Sequence, residues 1–209
     1  MSDLQLRNGI RATVFDVGET LVDESRMWAQ RARAADITPF ALMGVIGALI
    51  ERGEDHRLAW GILRVDAPTA PAAISVDDLY PDALDCLRTA KAAGLIVGIA
   101  GNQPAGTAEQ LLALGFTADV VASSAEWGIS KPSEKYFTKM VDVLGLEPHQ
   151  IMYVGDRVDN DVVPAHAVGL RTAFIRRGPW GFLHSAQREA NIADLQLDSL
   201  AQLASWLSG

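Results

Sequence analysis

Residues 10–21 read IRATVFDVGETL, and this stretch decides how the rest of the chain is organised. Ala12, Val14 and Phe15 belong to a short apolar run with β-branched and aromatic residues and no proline, which is typical of a buried strand. The run ends at Asp16, and a polar turn follows. A carboxylate at the carboxyl end of a buried strand lies where open α/β sheets bind ligands. The aspartate could instead cap the turn, and this stretch alone does not decide between the two.

Four further apolar runs follow later in the chain, and helical patterns separate each from the next. The runs span residues 95–100, 119–122, 151–154 and 171–175. The helical patterns between them end at glycines, which commonly terminate helices, and a last helix spans about 198–207. Strands that alternate with helices, each strand nearly continuously apolar, indicate a parallel sheet covered on both faces. We therefore predict an α/β fold, with GPWG at 178–181 forming a loop after the last strand.

Between the first strand and this alternating region lies a segment of helical patterns. Its uncharged run 37–50 is apolar on nearly all faces, so we expect it between other helices or at a subunit contact. Trp28 and Trp60 are expected in the core of the segment. A Pro- and Ala-rich stretch, DAPTAPAAIS at 66–75, is typical of a linker. We place a small all-helical insert at about 23–77.

The composition is that of an ordinary globular protein of 209 residues, with 49% hydrophobic and 21% charged residues. A formal charge of −8 without a basic stripe argues against a nucleic-acid surface. Cys86 is the single cysteine, so it forms no internal disulfide, and a buried thiol in a helix is expected. The N-terminus has no apolar stretch of signal-peptide length, and residues 37–50 are too few to cross a bilayer. We therefore expect a cytoplasmic protein with no membrane partner, either a monomer or a homodimer.

A second polar segment, GDRVDND at 155–161, follows the apolar run that ends at residue 154. It contains Asp156 and Asp161, and several carboxylate oxygens in a turn after a buried strand suit Mg²⁺. The alternative is that these acids cap and solvate the start of the next helix. Arg157 and Asp159 in the same segment are expected at the surface.

A lysine precedes a proline in the segment GISKPSEKYF, directly before a helical pattern. An ammonium group at Lys131 could neutralise Asp16 and a bound phosphate together. A lone lysine is more commonly solvated, and we interpret the neighbouring Lys135 in that way.

Taken in this order and at these separations, the segments FDVGET, SKPS and GDRVDND resemble the haloacid dehalogenase (HAD) superfamily of aspartate-nucleophile hydrolases. The resemblance implies a Rossmann-like three-layer core with a central parallel sheet, and a helical cap that closes over the site. It also places the strand of Asp16 between the strands that begin near Leu95 and Ile151. The implied domains are a core of residues 1–22 and 78–209 and a cap of residues 23–77.

The resemblance also assigns roles to individual residues. Asp16 would be the nucleophile that forms an aspartyl-phosphate, and Lys131 would neutralise the charge around it. Gly101 and Asn102 would bind the phosphoryl group of the substrate. A Mg²⁺ ion would be held by Asp16, the backbone carbonyl of Gly18, Asp156 and Asp161. The implied activity is that of a Mg²⁺-dependent phosphatase acting on a small phosphorylated metabolite.

Two positions depart from the family pattern. Phosphatases of the family have a second aspartate where this chain has Gly18, and that aspartate acts as general acid and base. Loss of general acid–base catalysis typically lowers rates about 10²–10⁴-fold. Glu19 is adjacent, and it replaces that aspartate only if the turn directs its carboxylate inward. Gly101 stands where Ser or Thr is usual, so a hydroxyl ligand is lost. Two alternatives stay open: a catalytically impaired protein that binds a phosphorylated ligand or partner, and a dehalogenase-type hydrolase.

Overall fold

The computed structural model describes residues 3–69 and 73–209, and its centre is a six-stranded sheet. The strands are β1 (Ala12–Phe15), β2 (Ile96–Gly101), β3 (Val120–Ser123), β4 (Ile151–Gly155), β5 (Arg171–Ile175) and β6 (Leu195–Leu197). All neighbouring strands are parallel, in the order β3-β2-β1-β4-β5-β6. The predicted α/β fold is confirmed, and so is the position of the first strand between β2 and β4.

The helices connect these strands and form the insert after β1. They are α1 (Asp3–Gly9), α2 (Ser25–Ala34), α3 (Pro39–Glu51), α4 (Leu58–Ile62), α5 (Ala83–Ala92), α6 (Thr107–Ala113), α7 (Ser124–Trp127), α8 (Glu134–Leu144), α9 (Val163–Ala167), α10 (Gly178–His184) and α11 (Leu200–Ser208). Their bounds agree with most of the predicted helical patterns. Helices α1 and α7 were not predicted, because each is too short to give a periodic signal.

The first strand contributes to two hydrophobic cores, one on each face of the sheet. Phe15 packs in the core formed with α1, α5, α6 and α11, whereas Val14 packs in the core formed with α8 and α9. Adjacent side chains of a strand point to opposite faces, so a strand covered on both sides needs apolar residues at every position. Cys86 lies fully buried in the first of these cores, as predicted.

The helices of the insert form a third hydrophobic cluster of their own. Trp28 and Trp60 are buried in it, as predicted, and the guanidinium of Arg31 lies 5.5 and 5.7 Å from the centroids of their rings. Phe40 is 90% exposed, so α3 is not buried on all its faces. Part of the predicted linker, residues 70–72, lies outside the described residues. The division into a core and a cap of residues 23–77 stays a prediction.

The predicted loop at 178–181 is wrong, because α10 begins at Gly178. Pro179 lies in the first turn of the helix, where a missing backbone N–H removes no helical hydrogen bond. Trp180 is buried in the cluster of the insert and joins it to the sheet domain. Strand β5 is also not the last strand, since β6 pairs with its outer edge. The three residues of β6 are too few for a strand signal in the sequence.

No single helix among residues 3–69 and 73–209 has the length and apolar character needed to cross a membrane. Helices α2 and α3 together satisfy that test by length and composition only, and they are bent by 112° relative to one another.

Candidate active site

The predicted site residues lie at the carboxyl edge of the sheet, where three neighbouring strands end side by side. Asp16 follows β1, and its backbone N–H donates to the carbonyl of Val154 in β4 at 2.9 Å. Asn102 follows β2 and Asp156 follows β4, so the parallel register brings these polar residues together. Ligands of open α/β sheets bind at this edge.

Three buried carboxylates form the centre of the site. Asp16, Asp156 and Asp161 each offer one oxygen, and these oxygens lie within 4.8 Å of one another. Oδ2 of Asp161 accepts a hydrogen bond from the backbone N–H of Arg157 at 3.0 Å. Oδ2 of Asp156 is buried and has no hydrogen-bond partner among the described residues. The structure therefore brings together the three acids to which the resemblance assigns a Mg²⁺ ion, and that assignment stays a prediction.

The close packing of these acids disfavours their ionised forms. Burial, opposed by Lys131 and reinforced by Asp161, raises the pKa of Asp16 to about 6. Burial and the charges of Asp161 and Asp16 raise the pKa of Asp156 well above its ordinary value. A positive charge placed among the three oxygens would reverse these shifts.

Lys131 supplies one such charge. Its ammonium lies 2.9 Å from Oδ1 of Asp16 and 2.6 Å from Oδ1 of Asp161, and its side chain is fully buried. Burial alone would lower the pKa of Lys131, but the two carboxylates raise it overall, so the lysine is charged. The neighbouring Lys135 is exposed, as predicted.

Asn102 holds the backbone of Lys131 through two hydrogen bonds. Its Nδ2 donates to the carbonyl of Lys131, and its Oδ1 accepts from the backbone N–H of Lys131, each at 2.9 Å. The amide therefore fixes the loop that carries the lysine. Whether its remaining N–H also donates to substrate stays a prediction.

Gly101 allows Asp16 to lie close to the backbone of β2. A Cβ atom at position 101 would lie 2.5 Å from Oδ1 of Asp16, which is closer than real Cβ contacts. The missing hydroxyl of the usual Ser or Thr is thus coupled to the position of the Asp16 carboxylate. Gly155 has a similar role, because a Cβ there would lie 2.5 Å from Cγ of Asp161.

The space beside Gly18 is occupied by the carboxylate of Glu24. A Cβ atom at position 18 would clash with Oε1 of Glu24 and lie 2.8 Å from its Cδ. Oε2 of Glu24 accepts a hydrogen bond from the indole N–H of Trp28 at 3.2 Å. Burial and the nearby charge of Glu19 raise the pKa of Glu24 to about 7.

Glu19 does point inward, but both of its carboxylate oxygens are engaged. Oε2 accepts from the hydroxyl of Tyr80 at 2.6 Å, and Oε1 accepts from the backbone N–H of Glu24 at 3.1 Å. Its φ is 52°, a left-handed value that is uncommon for a residue with a side chain. A Cβ at Gly178 would lie 2.5 Å from Cγ of Glu19, so the side chain is also closely packed.

A cavity of about 190 Å³ lies over the carboxylates and adjoins a second cavity of about 520 Å³. His56 lies between the rings of Trp28 and Trp180, with centroid distances of 5.9 and 5.1 Å. Arg157 lies 4.8 Å from the centroid of Trp180 and lines both cavities, although we expected it at the surface. Asp159 is largely exposed and pairs with Arg157 at 2.6 Å.

Sequence reasoning missed Glu24 and Trp180, which both line this cavity. Glu24 lies eight positions after Asp16 and four before Trp28, and an i, i+4 spacing places the acid and the indole on one face. That spacing could have indicated the contact between Glu24 and Trp28. Trp180 was missed because its segment was predicted as a loop. Trp127 lies close to the Lys131 loop in the sequence but lines neither cavity, and its ring packs against that of Tyr136 with centroids 5.0 Å apart.

Comparison with known proteins places this arrangement in a family. The profile described as haloacid dehalogenase-like hydrolase matches residues 10–169. The chain is 31% identical to a glyceraldehyde 3-phosphate phosphatase from Pyrococcus furiosus, over 93% of this chain and 91% of that protein. It is 30% identical to a phosphoglycolate phosphatase from Rhodospirillum rubrum, over 97% of this chain and 83% of that protein.

Solved structures with the same fold include phosphatases and dehalogenases. An HAD phosphatase from Thermococcus onnurineus matches with a TM-score of 0.63 and 22% identity, covering 96% of this chain and 99% of that one. An L-2-haloacid dehalogenase from Xanthobacter autotrophicus matches with a TM-score of 0.68 and 22% identity, covering 96% and 99%. At this identity the likeness confirms the fold alone. The family profile and the curated relatives establish more: the chain belongs to the haloacid dehalogenase-like hydrolase family, as its three sequence segments predict.

Proposed function

We propose that this protein is a Mg²⁺-dependent phosphatase that hydrolyses a small phosphorylated metabolite through an aspartyl-phosphate at Asp16. The observation that carries the proposal is the buried cluster of three carboxylates with the ammonium of Lys131 against two of them. The curated relatives named above are phosphatases of small phosphate monoesters, which supports this substrate class. Glyceraldehyde 3-phosphate and phosphoglycolate are therefore the metabolites to test once turnover of an activated phosphate is seen.

The residues present fit a divalent cation. Three carboxylates against one ammonium leave an excess of buried negative charge, and Oδ2 of Asp156 has no hydrogen-bond partner within the described part of the chain. Uncompensated buried charge is strongly unfavourable, whereas Mg²⁺ prefers carboxylate oxygens together with waters and substrate oxygens. When bound, Mg²⁺ would offset the negative charge of the phosphoryl group. It would be held by Asp16, the carbonyl of Gly18, Asp156 and Asp161.

The protein's own groups would prepare Asp16 for attack on phosphorus. Lys131 orients the carboxylate through Oδ1, and Asn102 fixes the loop that carries the lysine. A positioned nucleophile splits a difficult hydrolysis into phosphorylation of the aspartate and hydrolysis of the aspartyl-phosphate. The product of the first step is the alcohol of the substrate, and that of the second is inorganic phosphate.

The acid cluster also helps to distinguish phosphate transfer from a dehalogenase-type reaction. Displacement of halide by Asp16 gives no role to Asp156, so a dehalogenase-type reaction has less support than phosphate transfer. The impaired-binder alternative rests on Gly18 and Gly101, which lack the usual side chains. Turnover separates that alternative from the proposal.

The test is hydrolysis of 4-nitrophenyl phosphate and acetyl phosphate, with Mg²⁺ and with a chelator, by the parent protein and Asp16→Asn. We expect Mg²⁺-dependent turnover by the parent and none by the variant. A matched control is Asp142→Asn, because Asp142 is exposed on α8 and outside both cavities.

Two results would contradict the proposal. Turnover that persists in Asp16→Asn would exclude an aspartyl-phosphate at this residue. Tight binding of a phosphorylated ligand without any turnover by the parent would support the impaired binder instead.

A further inference from the structure

The side chain of Glu24 does not cap α2, although the residue stands at the N-cap position of that helix. Glu24 is the residue directly before α2, where a short acidic side chain commonly accepts hydrogen bonds from the first helical N–H groups. Its side chain makes no such capping bond. Instead it lines the cavity that also contains Asp16 and Lys131.

The carboxylate of Glu24 lies in the space that a side chain at position 18 would otherwise fill. An added Cβ on Gly18 would clash with Oε1 of Glu24 and lie 2.8 Å from its Cδ. The chain therefore lacks a carboxyl group on residue 18 but has one in the same space, supplied from six residues further on.

The two oxygens of Glu24 have different environments. Oε2 is held by the indole N–H of Trp28 at 3.2 Å. Oε1, the oxygen nearest to position 18, has no hydrogen-bond partner within residues 3–69 and 73–209. One oxygen is thus anchored, and the other faces the cavity.

We propose that Glu24 is the general acid and base of the reaction, replacing the aspartate that residue 18 lacks. This inference rests on the proposed phosphatase function. Glu19 is less suitable, because both of its oxygens are held by Tyr80 and the backbone of Glu24. Trp28 is a positioning residue that acts through Glu24.

In the first step a carboxylate oxygen of Asp16 bonds to phosphorus, the bond from phosphorus to the leaving oxygen breaks, and protonated Glu24 gives its proton to that oxygen. In the second step the Glu24 carboxylate takes a proton from water as the water oxygen bonds to phosphorus. The bond between phosphorus and Asp16 then breaks. Inorganic phosphate leaves, Asp16 is a carboxylate again, and Glu24 is again protonated.

The first test compares phenyl phosphate, a poor leaving group, with 2,4-dinitrophenyl phosphate, which needs no proton to leave. In Glu24→Gln we expect kcat/KM for phenyl phosphate to fall about 10²–10⁴-fold, as is typical for a lost general acid. The value for 2,4-dinitrophenyl phosphate should change less than tenfold. If Glu24 had only a structural role, Glu24→Gln would lower kcat/KM equally for the two substrates, and that result would overturn the proposal. Glu51→Gln, on an exposed residue that ends α3, is the matched control.

The second test moves the carboxyl group back to residue 18. Glu24→Ala removes the side chain that a Cβ at position 18 would meet, so Gly18→Asp fits best in that background. For phenyl phosphate, kcat/KM of the double variant should be at least tenfold higher than that of Glu24→Ala. Gly18→Asp in the parent must displace Glu24, so we expect no gain there. No recovery in the double variant, together with a uniform loss in Glu24→Gln, would refute the role.

The Asp16→Asn variant distinguishes a failure of the proposed phosphatase function from a failure of the role of Glu24 alone. If it retains the parent's turnover, or if the parent hydrolyses none of these aryl phosphates with Mg²⁺, the proposed function fails and the role of Glu24 fails with it. If Asp16→Asn is inactive while Glu24→Gln keeps the parent's activity on phenyl phosphate, only the role of Glu24 fails. Trp28→Phe, which removes the indole N–H, should show the same leaving-group dependence as Glu24→Gln but a smaller loss.

Discussion

The ammonium of Lys131 lies 2.9 Å from Oδ1 of Asp16 and also contacts Asp161 at 2.6 Å, so a single buried cation holds two carboxylates from separate segments, one that follows β1 and one that follows β4. Neither carboxylate has another basic side chain as close, among the residues that the structure describes. We therefore expect the lysine to matter both for folding and for orienting Asp16. These two roles can be separated by experiment.

Replacing Lys131 with methionine should lower both stability and activity. Removing one partner of a buried ion pair typically lowers the free energy of unfolding by about 3–5 kcal/mol. Denaturant unfolding with a chelator present measures this loss. Saturating Mg²⁺ should restore part of the stability, because a cation can replace the missing charge, but phosphatase activity should stay low. An unchanged unfolding midpoint would contradict the structural role of the lysine.

Replacing Asp156 with asparagine should have the opposite effect on stability without metal. Oδ2 of Asp156 is buried without a partner, so a neutral side chain removes an unfavourable buried charge. We expect Asp156→Asn to unfold at a higher temperature than the parent with chelator, and to lose the further increase that Mg²⁺ gives the parent. Thermal unfolding of both proteins with and without Mg²⁺ measures the two effects. A variant that Mg²⁺ stabilises as much as it does the parent would exclude Asp156 as a metal ligand.

The core and the acid cluster were predictable because they depend on local patterns and one general rule. Continuous apolar runs mark buried parallel strands, and parallel strands end at a common edge. Asp16 and Asp156 each follow such a run directly, so their proximity follows from the sheet. Lys131 comes from the loop before α8, and only its resemblance to a known motif indicated its place.

The position of Glu24 was not predictable in the same way. It depends on the direction in which the chain leaves the turn at Glu19, whose φ of 52° is unusual. It also depends on the contact between Glu24 and Trp28 across one helical turn. Both are tertiary features, and a sequence pattern gives their residues but not their directions. Trp180 was missed for a related reason, since a seven-residue helix beginning Gly-Pro has the composition of a turn.

Replacing Gly101 with serine should lower activity, although Ser or Thr is usual at this position in the family. A Cβ there would lie 2.5 Å from Oδ1 of Asp16, so the carboxylate must move away from its position beside Lys131. We expect kcat/KM for 4-nitrophenyl phosphate to fall at least tenfold. Gly44→Ser is the matched control, because a Cβ on Gly44 meets nothing within 4 Å. Increased activity in Gly101→Ser would show that the hydroxyl matters more than the position of Asp16.

His184 should make the protein less stable in mild acid. It is buried, its Nδ1 accepts from the backbone N–H of Val158 at 3.1 Å, and burial lowers its pKa. Because the unfolded state binds the proton more readily, this histidine lowers the free energy of unfolding as pH falls below about 6.5, its unfolded pKa. The Oδ1 of asparagine can accept the same hydrogen bond without titrating. Between pH 7.5 and 5.5, measured by denaturant unfolding with chelator, His184→Asn should therefore lose less stability than the parent, whereas His166→Asn, on an exposed residue, should follow the parent. Equal losses in the parent and His184→Asn would mean that His184 does not contribute to acid sensitivity.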